Sequence, residues 1–117
     1  MGVLSKIEVE QRLLKVVRCE CDLENVRLVR AKEEVAAQEA KVAAGESARD
    51  ELDAAKSALA QLTEAAQAAA AKRERAELET AETNLRRQEK LLKLGSAHKS
   101  DVDRAQQKLA ELKAQKN

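Results

Sequence analysis

Three side chains in this 117-residue sequence have the chemistry of ligands or nucleophiles: Cys19, Cys21 and His98. Two residues apart on a helix, Cys19 and Cys21 project about 200° from each other, so they cannot form a disulfide together. A C-x-C pair alone is too little for a zinc site. Cys21 reads as a filler of an apolar seam and Cys19 as a residue off it, with an intermolecular disulfide on oxidation as a minor alternative. His98 lies in a polar turn with no Cys or carboxylate at ligand spacing, which reads as a solvated surface side chain. The charged run "AKRERAELE" mixes signs and holds i,i+4 pairs such as Arg75–Glu79, the pattern of a solvated helix face. There is no Ser/His/Asp order, no P-loop and no glycine-rich phosphate cradle. No enzyme, no cofactor and no metal are expected.

The elements that would carry these residues follow from composition. Phe, Tyr, Trp and Pro are absent, and charged residues make up 37%. Ala, Leu, Glu, Lys, Arg and Gln dominate, a profile of long helices or coiled coil in one domain at most. Apolar side chains that are mostly Ala, Val and Leu fill narrow seams, not a thick core. Lys and Arg total 22 against 21 Asp and Glu. With no one-sign field and no aromatic platform, nucleic-acid binding is disfavoured. The same balance disfavours an amphipathic helix on a lipid surface. No apolar stretch is long enough to span a membrane. "MGVLSKIEVEQ" has no apolar signal-peptide core, and Ser5 sits one place too early for Gly2 to be myristoylated. These features suggest a cytosolic chain or a piece of a longer protein.

Read in sevens, Ile7, Leu14, Cys21, Leu28, Val35 and Val42 form an unbroken apolar series. Its companion series, Val3, Glu10, Val17, Glu24, Ala31 and Gln38, is only half apolar, so the seam is loose. Leu52, Ala55, Leu59, Leu62, Ala66 and Ala69 alternate by three and four. The phase slips after the alanine run Ala68–Ala71, then resumes at Leu78, Ala81, Leu85 and Leu92. Val102, Ala105, Leu109 and Leu112 continue at three and four. Lys90 and Lys93 suit a helix C-terminus, Gly95 suits a left-handed cap, and Ser100 with Asp103 has capping-box spacing. The chain therefore turns at about Gly95 to His98. The last helix runs back, with Val102 to Leu112 facing Leu78 to Leu92. Gly45 followed by Ser47 and Asp50 has similar turn chemistry. Yet Val42 and Leu52 are ten residues apart, close to three helical turns, so a kink and a full turn are both open there.

The stretch "AELETAETNLRRQEKLLKLGSAHKSDVDRAQQKLAELKAQ" resembles the helical hairpin of HlyD-like membrane fusion proteins, the periplasmic adaptors. The family tip commonly reads Arg, three residues, Leu, six residues, Ser, then an acidic first turn. Arg87, Leu91, Gly95 and Asp103 match it, while His98 stands where Ser is usual. "VAAGESARDELDAAKSAL" fits loosely a segment that interrupts the family's ascending arm. The resemblance covers roughly residues 20–117. It implies a non-enzymatic adaptor in the periplasm, linking an inner-membrane pump to a TolC-type outer-membrane duct for efflux or type I secretion. Arg87, Leu91, Gly95 and His98 would be the duct-facing tip, and the segment itself would not enter the membrane. The alternative is a cytosolic coiled coil that acts as an oligomerisation module or spacer.

The fold expected is all-α: an elongated antiparallel coiled-coil hairpin forming a single domain. Its long arm covers about 3–94 with an interruption near Gly45, its tip about 95–99 and its return helix about 100–115. Family topology favours a kink at Gly45. Much of the first arm would then lack an in-chain partner and pair through its seam with another copy.

Overall fold

The computed structural model describes residues 5–46 and 49–116. These form three α-helices and no strand: α1, Lys6–Ala43; α2, Arg49–Lys93; and α3, Lys99–Lys116. The fold is all-α and built of helical hairpins, as the composition implies. Ser5 caps α1. Its Oγ accepts the Glu8 N–H at 3.1 Å, satisfying one of the four donors that a helix start leaves open. Val3 and Ser47, counted in the seam and the cap above, lie outside the described residues.

Both α1 and α2 end in the same way. Gly45 has φ +75° and Gly95 φ +77°. At the first stop, the Glu46 N–H donates to the Lys41 carbonyl at 2.9 Å and Gly45 to Val42 at 3.1 Å. At the second, Ser96 donates to Leu91 at 2.8 Å and Gly95 to Leu92 at 3.0 Å. Each is a Schellman motif, in which a left-handed residue lets two amides close the open carbonyls of the last turn.

The chain thus reverses at Gly45, and the kinked, nearly continuous arm favoured by family topology is corrected. The Arg87 guanidinium bonds both oxygens of Glu10, at 3.0 and 3.2 Å. Along an unbroken helix these residues would be about 115 Å apart. The stop signal at Gly45 is as complete as the one at Gly95. Nor does the first arm lack an in-chain partner: its seam is buried or half-buried from Leu14 to Val42, while Ile7 is 42% exposed.

The chain divides into two compact units. Val16–Ala71 is a two-helix hairpin closed by the Gly45 turn. Its core lies where the sevens place it: Cys21 and Val35 on α1, and Leu52 and Ala66 on α2, are buried. In the same unit Val17, Leu28, Ala31, Val42, Leu59 and Leu62 are half-buried. Seams of this kind gain most of their stability from apolar area removed from water.

The second unit joins Met1–Lys15 to Lys72–Asn117. The boundary falls at the phase slip after Ala71. Beyond it α2 meets the start of α1 and also α3, and its half-buried positions spread around much of its circumference. Ala81, Val102 and Ala105 are buried. Leu78 and Leu112 line one shallow groove, and Asn84, Gln88, Asp101 and Ala105 another, so α3 runs antiparallel to α2 as expected. Leu92 is the exception: it is 38% exposed, while Leu91 is half-buried.

Candidate functional site

The four residues assigned to the tip occupy the end of α2, its turn and the start of α3. They do not converge on a common pocket. Arg87, two turns before the stop, spends its guanidinium on Glu10; the two side chains are 24% and 31% exposed. Both bonds come from Nη2, a part-buried charge-assisted contact that ties α2 to α1. Leu91 is half-buried, and its carbonyl accepts the Ser96 N–H. Gly95 supplies the positive φ. His98 is exposed.

His98 is the N-cap of α3, a role the sequence reading gave to Ser100. The Asp101 carboxylate accepts the His98 N–H at 3.0 Å through Oδ2. Its Oδ1 accepts from Arg104 at 3.1 Å. This is the reciprocal half of a capping box, two residues earlier than the Ser100–Asp103 pair suggested. The position where the resemblance expects Ser is therefore the one where a hydroxyl would cap the helix. His98→Ser should raise stability by about 0.5–1 kcal/mol by giving α3 a side-chain acceptor. Thermal melts of the two proteins check this, and an unchanged or lower midpoint would contradict the cap assignment.

Beside the turn stand Leu92 and Leu94, the latter 69% exposed. Neither was singled out from the sequence as a surface residue, because Leu92 fits the seam period and Leu94 carries no motif. Glu10, Glu24 and Gln38 were legible only as weak points in the seam. Each has a partner: Arg87, Arg27 at 3.0 Å and Glu34 at 2.9 Å respectively. The second oxygen of Glu24 is buried with no hydrogen-bond partner. Cys21 is buried and Cys19 exposed, both as free thiols. Among the described residues no group of three His, Cys, Asp or Glu side chains could hold a metal ion. No helix among them is long and apolar enough to cross a membrane.

Comparison with protein-family models, curated proteins and solved structures gives no match to this chain.

Proposed function

We propose that this chain is a non-enzymatic coiled-coil module that spaces and joins other parts of an assembly. The observation that supports this reading is where the burial lies. Every buried side chain among the described residues is apolar and belongs to a helix seam, and none is polar or charged. Polar side chains are spent on register and solubility, as with Arg87 on Glu10 and Arg73 on Glu77 at 3.2 Å. A module of this kind works through its length and its faces, with no reacting group.

A second reading keeps the adaptor role, with the Gly95 hairpin docking onto a TolC-type duct in the periplasm beside an inner-membrane pump. Leu92 and Leu94 favour it, because two exposed leucines at a hairpin turn suit an apolar contact. An export assay in the cell that makes the protein separates the two readings, using a Leu92→Ser/Leu94→Ser variant at matched protein levels. Both side chains are exposed, so the variant should fold. The spacer reading expects unchanged efflux and secretion. A loss of export with unchanged helicity would replace it by the adaptor reading.

A further inference from the structure

The inner seam of α1 is covered by α2, yet α1 carries a second apolar series. Val16, Leu23 and Val26 are 52%, 48% and 48% exposed, and Cys19 is exposed among them. Their spacing is three, four, three, the a/d rhythm of a coiled coil. Val9 extends the sevens toward the N-terminus and is 41% exposed; Val29, 54% exposed, flanks the series. Each member lies two residues on from a member of the inner seam, so the series runs about 200° around the helix from it. Arg30 and Glu33 end the apolar run.

We propose that this outer series of α1 is the docking face for a second copy of the chain, paired parallel and in register. The inference rests on the reading of the chain as a coiled-coil module that joins parts of an assembly. The flanking charges choose the occupant and its direction. In a parallel pair, the residue before each a position faces the residue five further on in the other helix. Lys15 then meets Glu20 of the second copy, and Asp22 meets Arg27 of the second copy. Both contacts join opposite charges, and two-fold symmetry repeats them. An antiparallel pair that stacks Val16 on Val26 and Cys19 on Leu23 does the reverse. It sets Asp22 against Asp22 and Glu20 against Glu20. Arg27 already bonds Glu24, and Glu20 and Asp22 are also engaged within their own chain. The interchain pairs therefore select orientation, and the apolar residues supply affinity.

Sedimentation equilibrium of the reduced full chain should give twice the monomer mass in the micromolar range. Val16→Lys/Leu23→Lys should return it to monomer with helicity and melting in dilute solution unchanged, because neither side chain is buried in the fold. Mild oxidation should cross-link the wild type through Cys19, and Cys19→Ser should abolish the cross-link while Cys21→Ser leaves it. A monomeric wild type overturns the proposal, and so does a dimer that survives the lysine variant. A dimer lost in that variant but not cross-linked through Cys19 overturns the parallel register. A monomer that floats with phosphatidylserine/phosphatidylcholine vesicles would assign the face to lipid instead. Any of these failures leaves the export result, and with it the spacer reading, standing separately.

Discussion

Leu52→Ala is expected to lower the unfolding free energy by about 2–3 kcal/mol, the largest effect of any truncation outside the turns. Leu52 is 8% exposed and packs in the two-helix seam, where no third layer can close the space left behind. Leu13, at 62% exposed, is the matched control, and Leu13→Ala should cost less than about 0.5 kcal/mol. The same contrast orders the cysteines: Cys21, 4% exposed, should tolerate alanine less well than Cys19. Urea titrations followed by circular dichroism measure all four. Equal costs for Leu52 and Leu13 would mean that the seam of α2 is in another register.

Gly45→Val and Gly95→Val should each cost about 1–2 kcal/mol, with little change in total helicity. An added Cβ at either glycine meets nothing within 4 Å, so crowding contributes nothing to this cost. The cost comes from holding a β-branched residue at a φ of +75° or +77°. Asparagine tolerates that region better, so the Asn variants should fall between glycine and valine. If valine and asparagine were equally harmless at Gly45, the turn there would not depend on a left-handed residue.

Much of this architecture was legible because helices write their period into the chain. Cys21 and Val35 were placed in the seam by counting sevens, and both are buried. Gly95 was read as a stop from the lysines before it and the acids after it. At Gly45 the same chemistry was present, but the ten-residue step from Val42 to Leu52 fits both a straight stripe and a reversal. Periodicity cannot separate those, since a hairpin and a continuous helix bury the same face. The Arg87–Glu10 pair was illegible for a related reason: which residues meet across a hairpin depends on where it turns. The caps at Ser5 and His98 were within reach, because Ser5–Glu8 and His98–Asp101 both show the three-residue spacing. The outer series of α1 was also present, as a second three-four stripe two residues on from the first.

The placement of Glu10 has a consequence for uniqueness. A seam that repeats every seven residues is a ruler with identical marks. Sliding α2 along α1 by one heptad would keep apolar against apolar nearly everywhere. It would also put Thr80 or Leu94 where Arg87 now meets Glu10. Glu10 makes adjacent marks distinguishable through its bond to Arg87, whereas the bonds of Glu24 to Arg27 and of Gln38 to Glu34 lie within α1. What looks like weakness in the seam is the information that selects one alignment from a ladder of near-equivalent ones.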